Sequence, residues 1–192
     1  MGPILLAVTT GLRRGEILAL AWRDVNLEQG VLSVTRSLEQ TRDGMRFKTP
    51  KTKRSRRSLT LPLMTIEALQ THKAAQAALR LRLGAGRDDD AIVCPGFNFG
   101  PRSPGAFTRE FTRFVDTLDI PRITFHGLRH THASQLLRAG VHPKIAQERL
   151  GHSTVAVTLD MYSHVVPSMQ VDAAGRVDAI LKTALGKKNS NE

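Results

Sequence analysis

The chain is poor in the residues that cross-link, stack or span. Of its 192 residues one is cysteine, one tyrosine and one tryptophan, and aromatics make up 5%. A single cysteine excludes an intramolecular disulfide and a cysteine-rich zinc site. Cys94 lies in the apolar run 91–94 and reads as a small buried residue, not a nucleophile. No apolar run approaches the roughly 20 residues that span a bilayer. The chain does not open on a basic stretch followed by an apolar one. It is therefore expected in the cytoplasm, with no membrane partner. So few aromatics argue against a platform of stacked single-stranded bases.

Acidic residues are scarce beside basic ones: 17 Asp and Glu face 28 Lys and Arg, an excess of +11. Such an excess repels itself and points to a polyanionic partner. No helix pairs a basic face with an aromatic-rich one, as membrane-surface helices do. The backbone of double-stranded DNA is the expected partner, bound with a steep salt dependence. The length suits one domain with a real core.

Along the chain, Ile4, Leu5, Val8, Leu12, Ile17, Leu18 and Leu20 fall at helical spacing up to Trp22, a core residue. Gly11 and Gly15 interrupt the pattern, so a bend or second helix start is expected, with Thr10 as candidate N-cap. Asp24 to Leu27 reads as a turn. Residues 31–35, 45–48 and 58–61 predict three short antiparallel strands, with a basic loop between the last two. On charge alone that loop is a solvated segment or an unspecific DNA contact. Residues 62–83 predict an amphipathic helix anchored by Leu63, Ile66, Leu69, Ala77 and Leu81. Residues 84–90 are a polar turn whose aspartates have no further carboxylates to form a metal site with. Residues 91–94 predict a buried strand, and 106–118 a helix with Phe107, Phe111, Phe114 and Val115 inward. Helices are then expected from His126 to Ala139, from Pro143 to about Gly151, and within 154–162. A last helix at 168–185 carries Met169, Ala173, Val177, Ile180 and Leu181 on one face.

Residues 125–164 gather His126, Arg129, His130, His132, His152 and the sole tyrosine, Tyr162. A guanidinium, imidazoles and a phenol suit chemistry on a phosphate oxyanion. His126 and His130 have the spacing of two metal ligands on a helix, yet no glutamate stands between them and no cysteine or spaced carboxylate completes a set. Residues 133–152 also resemble a helix-turn-helix. On that segment alone a DNA reader and an enzyme stand about even.

Four motifs in order break the tie. TGLRRGEILALAWRDV, PKTKRSRRSLTLP, HGLRHTHASQLL and LGHSTVAVTLDMYSHV closely resemble the tyrosine recombinases, the phage-integrase type of site-specific recombinase. The resemblance covers residues 5–181. Its first motif is weak alone; the last two together are specific. The implied fold is α+β and mainly α-helical, a DNA breaking-rejoining catalytic domain with a small three-stranded antiparallel sheet. It would span 1–185, with a flexible tail at 186–192.

The resemblance also implies roles. Tyr162 matches the nucleophile, whose phenol has an unperturbed pKa near ~10 and needs activation. Arg13 and Arg129 match the two arginines that bind phosphate oxygens and stabilise charge in the transition state. Lys51 matches the general acid for the departing 5′-oxygen, with Lys48 and Lys53 as rivals in the same loop. His126 matches a proton acceptor or phosphate ligand, His152 a hydrogen-bond partner of the scissile phosphate, and Glu16 a supporting acid. His130 and His132 read as structural. Lys48, Lys53, Arg54, Arg56 and Arg57 are expected to contact the DNA backbone. No metal or nucleotide cofactor is implied. The reaction would be strand cleavage and rejoining through a 3′-phosphotyrosyl link, by a homo-tetramer on paired sites.

Arg13 lies closer to the N-terminus than in complete members of that family. The chain is therefore expected to be a shortened catalytic domain without the core-binding domain. Two alternatives stay open: a non-catalytic DNA-binding remnant and a type IB topoisomerase-like enzyme.

Overall fold

The computed structural model describes residues 2–49, 56–86, 88, 90–152, 154–160 and 166–188. Two helices open it, α1 (Gly2–Thr10) and α2 (Arg14–Ala19). Gly11 makes the break between them. Its φ of +67° is left-handed, and its N–H closes on the Ala7 carbonyl. Thr10 is not an N-cap: it is the last residue of α1, with its hydroxyl turned back onto the Leu6 carbonyl. The N-cap of α2 is Arg13, whose backbone N–H donates to the Glu16 carboxylate at 2.8 Å.

A 3-10 turn (Trp22–Asp24) leads into β1 (Val25–Asn26), part of the stretch read as a turn. Then come β2 (Val31–Val34), β3 (Ser37–Thr41), β4 (Gly44–Lys48) and β5 (Arg57–Thr60). A three-stranded antiparallel sheet forms in the order β1-β2-β5. Residues 45–48 are not in it. They belong to β4, which pairs with β3 in a separate hairpin, from Ser37 opposite Lys48 to Thr41 opposite Gly44. The two strands that flank the basic loop thus lie in different sheets. Strand β3 carries a single apolar side chain, Leu38, so its sequence held no alternation to read.

Six helices follow: α3 (Leu63–Arg82), α4 (Pro104–Asp116), α5 (Phe125–Arg138), α6 (Pro143–Leu150), α7 (Val155–Asp160) and α8 (Val166–Lys188). Ser103 caps α4 and Thr124 caps α5, each accepting a backbone N–H three residues on. Helix α3 buries Leu69 and packs Ile66 on the core as expected, but not its other anchors. Leu63 and Leu81 are 70% and 78% exposed, and the buried side chains are Thr65, Leu69 and Gln76. Gln76 is drawn inward because its amide donates to the Ile92 carbonyl at 3.0 Å and accepts from the Trp22 indole. Phe114 is likewise exposed, while Phe107 and Phe111 make edge-on contacts with Phe125, which starts α5. Helix α8 runs three residues into the expected tail.

Leu6, Ile17, Leu18, Leu32, Leu69 and Val93 are fully buried in one core under the β1-β2-β5 sheet and its flanking helices. Each such side chain contributes about 1.5–3 kcal/mol relative to exposure. Cys94 lies in this core, and burial pushes its thiol up to about 12, which keeps it protonated. Helix α1 packs on α5, α2 on β3, and α6 on β5. Those three contacts bring the ends of α1, α2, α5 and α6 to one place. Among the described residues no helix is long and apolar enough to cross a membrane.

Gly11 is the tightest point of this arrangement. A Cβ there would stand 2.6 Å from both the His132 ring and the Leu150 side chain. Gly11→Ala is expected to lower stability by about 1–3 kcal/mol in urea or thermal unfolding, from crowding alone. Gly175→Ala, in open space on α8, is expected to cost nothing. Equal midpoints for Gly11→Ala and the parent chain would contradict the packing described.

Candidate active site

Helix α6 ends at Gly151 in the left-handed conformation, φ +66°. The carbonyls at a helix end lack partners within the helix and carry the negative end of its dipole. Arginines from three other elements meet them in succession. Arg57 Nε donates to the Arg149 carbonyl at 2.8 Å, Arg129 Nη2 to Leu150 at 2.7 Å, and Arg13 Nη2 to Gly151 at 2.8 Å. Arg129 also donates through Nη1 to the Gly11 carbonyl at 2.6 Å, tying α5 to the break after α1.

One carboxylate sits among these cations. Glu16 accepts from Arg13 Nη1 at 3.0 Å, and from Arg57 Nη1 and Nη2 at 3.0 and 2.9 Å. Burial by itself would push the Glu16 carboxyl up. The hydrogen bonds and charge of Arg57, joined by Arg13, outweigh it and hold the pKa below the ordinary value. Three guanidiniums against one carboxylate leave the cluster with a net positive charge, an arrangement that favours an added anion.

A guanidinium has five N–H donors. Arg13 and Arg129 each donate two of theirs in these contacts, leaving others for a ligand. Arg13, Arg129 and His126 line one cavity of about 460 Å³ between α2, β3 and α5, with Arg14, Thr108 and Thr124 also on its wall. Arg13 is 43% exposed at its side chain, while Arg129 is buried. Burial, and then the charge of Arg13, lowers Arg129 to about 9, which still leaves it charged at neutral pH. A second cavity of about 220 Å³, lined by Arg56, Arg57, Lys144, Gly151 and His152, lies along α6.

The histidines divide by environment. His126 is lowered by burial and by the charges of His130, Arg129 and Arg13, so it is neutral and able to accept a proton near neutral pH. Its ring meets His130 edge-on with centroids 4.7 Å apart. His152 is lowered to about 4 by burial and then by the surrounding cations, and its Nδ1 lies 3.0 Å from the hydroxyl of buried Thr158 on α7. His132 points away from the cavity. Its Nδ1 is 2.8 Å from the Val8 carbonyl and its Nε2 accepts from Arg149 Nε at 3.3 Å, which fixes the Nδ1–H tautomer.

The structure thus brings Arg13, Glu16, Arg129, His126 and His152 to one region. Lys51, Lys53, Arg54 and Tyr162 lie outside the described residues. Lys48 is on β4, paired with Glu39 at 3.1 Å. Arg56 is exposed beside His152. Arg57 corrects the expectation of a DNA-backbone contact: its side chain is 7% exposed and its Nε, Nη1 and Nη2 all donate to protein. Nothing in the sequence separates it from the cations that precede it. The roles of Arg149 and Thr158 were equally hidden. Among the described residues no group of three or more His, Cys, Asp and Glu is arranged to hold a metal ion.

His132 generates a pH prediction. Burial, only partly offset by the bond to Val8, lowers its pKa from 6.5 to about 4. A depressed histidine favours the fold when neutral, so its contribution is complete above pH 6.5 and is lost as pH falls toward 4. Unfolding free energy is expected to fall by up to ~1.4 kcal/mol per pH unit through this group. His132→Asn, which keeps a donor toward Val8, is expected to flatten that slope between pH 6.5 and about 5, above the main carboxylate range. An unchanged slope would contradict the assignment.

Known proteins share both the sequence pattern and the fold. The sequence profile of the phage integrase family matches residues 2–169. A tyrosine recombinase XerC-like protein of Caldanaerobacter subterraneus subsp. tengcongensis is 32% identical over 183 residues, covering 88% of this chain and 46% of that one. The ICEBs1 integrase of Bacillus subtilis is 32% identical over 176 residues, covering 92% of this chain and 48% of that one. This chain therefore spans about half the length of these relatives. Among solved structures, the Tn1549 transposon integrase in complex with transposon right-end DNA superposes with a TM-score of 0.72 at 26% identity, over 91% of this chain and 57% of that one. XerA recombinase shares the fold, with a TM-score of 0.63 over 89% of this chain and 55% of that one. With the family profile running through nearly the whole described region, the chain belongs to the phage integrase family.

Proposed function

We propose that this chain is the catalytic domain of a site-specific DNA recombinase, spanning 1–185, that cleaves and rejoins strands through a 3′-phosphotyrosyl link at Tyr162. The observation that carries the reading is the convergence of Arg13 and Arg129 on one cavity, each held on the end of α6 with donors to spare. Duplex DNA as partner is supported by the net charge of +11 and by the Tn1549 integrase, which was solved with transposon DNA.

In this reading the two guanidiniums grip the non-bridging oxygens of the scissile phosphate and stabilise the charge that grows in the pentacoordinate transition state. They supply the positive charge that a divalent ion brings in other phosphoryl transfers. His126, neutral near neutral pH, accepts the phenol proton as Tyr162 attacks phosphorus. His152 hydrogen-bonds the phosphate through the ring nitrogen opposite the one beside Thr158. Lys51 gives a proton to the departing 5′-oxygen. The P–O5′ bond breaks as the P–O(Tyr) bond forms, so the phosphodiester energy is kept and no nucleotide is spent. A 5′-hydroxyl from a partner strand then reverses the step. Exchange between two duplexes needs several copies. Val177, Ile180, Leu181 and Leu185, exposed along α8, support assembly into the expected homo-tetramer on paired sites.

The reading is tested with a pool of randomised duplexes, nicked so that the 5′-hydroxyl fragment is lost after cleavage. The chain is expected to form a covalent adduct with members of this pool at low salt. Tyr162→Phe is expected to form none. Arg129→Lys, which keeps charge but loses the planar fork, is expected to lower the cleavage rate by about a hundredfold or more. An adduct that survives Tyr162→Phe, or a parent chain that forms none, would overturn the proposal. The latter result would leave a DNA-binding remnant.

A further inference from the structure

Arg57 sits at the end of the most basic stretch of the chain, where its neighbours suggest a phosphate contact. Its geometry assigns it elsewhere. The guanidinium faces Glu16 as a fork, with Nη1 and Nη2 on the two carboxylate oxygens at 3.0 and 2.9 Å. Its Nε holds the Arg149 carbonyl at 2.8 Å. The same two Glu16 oxygens hold Arg13, one through Nη1 and the other through the backbone N–H. A carboxylate on a six-residue helix is free to turn about its side-chain bonds. A bidentate partner fixes its plane. Gly151 closes the other side: a Cβ there would lie 2.8 Å from Arg57 Nη1, so the guanidinium packs directly on the backbone whose carbonyl holds Arg13.

We infer that Arg57 is a positioning residue for DNA cleavage: by fixing the plane of Glu16 and the end of α6, it sets where Arg13 meets the scissile phosphate. It touches no DNA. The inference rests on the function proposed above. Lysine cannot replace it, because an ammonium is a point donor that keeps the charge and loses the fork.

The test uses whichever duplex the chain captures covalently from the randomised pool. Arg57→Lys is expected to lower the single-turnover cleavage rate at saturating DNA by about tenfold or more. The dissociation constant, and the slope of log affinity against log salt, are expected to stay as in the parent. Glu16→Gln is expected to slow cleavage too, and the double variant to fall well short of the product of the two single defects, because Arg57 acts in large part through Glu16. Multiplying defects in the double variant would overturn the inference. So would a salt slope reduced by about 0.9 with the saturating rate intact, the signature of a lost phosphate contact. If Arg57→Lys does not fold, Gly151→Ala displaces the same guanidinium without removing charge and is expected to slow cleavage, with the salt slope unchanged; a parental rate there also overturns it. A parent chain that forms no adduct strikes the proposed function instead, whereas a parental rate for folded Arg57→Lys strikes the positioning role alone.

Discussion

Three arginines held on three successive carbonyls at the end of one short helix are the constraint on which the site depends. Arg57, Arg129 and Arg13 come from β5, α5 and the start of α2, and the end of α6 takes one donor from each. A helix end normally leaves such carbonyls to water or a cap. Here guanidiniums satisfy them, and the helix dipole partly offsets the repulsion among the cations. Glu16 bridges two of them, Arg13 and Arg57. Removing one member would leave a buried charge without its partner, which is why the cluster behaves as a unit.

The fold exists, in functional terms, to bring these ends together. Gly11 ends α1 in a conformation suited to glycine and offers its carbonyl to Arg129. Gly15 lets α2 approach β3, since a Cβ there would stand 2.6 Å from the Leu38 carbonyl. Gly151 ends α6 against the face of Arg57. The polar groups beneath are satisfied in the same manner: Arg149 spans the Thr9 and Thr60 carbonyls and His132, sealing α1, β5, α5 and α6 into one block. Burial first, and then the charges of Arg129 and Arg13, hold His126 and His152 below the ordinary histidine range.

Much of this was legible in the residues. Periodicity located the helices, and the motifs around Arg13, Arg129 and His152 marked groups that the structure places side by side. What escaped did so for definable reasons. Strand β3 has one apolar side chain and no alternation. The buried face of α3 joins Thr65 and Gln76 to Leu69, so apolar spacing found Leu69 but misplaced Leu63 and Leu81. Arg57 reads like the cations that precede it, because a run of cations does not show which one faces a carboxylate 41 residues away. Backbone carbonyls as the shared seat of the arginines leave no trace in side-chain identity at all. Pairing of β3 with β4, and not β2 with β4, likewise depends on tertiary packing that local patterns do not carry.

The proposed function requires that Arg13 and Arg129, seated on α6, form one preorganised phosphate site. The most direct measurement is the position of a tetrahedral oxyanion, tungstate or inorganic phosphate, in a crystal structure of the chain. One anion is expected in the cavity between α2, β3 and α5, hydrogen-bonded to both guanidiniums while their bonds to the Leu150 and Gly151 carbonyls persist. An anion bound elsewhere with that cavity empty, or Arg13 and Arg129 holding separate anions, would contradict it.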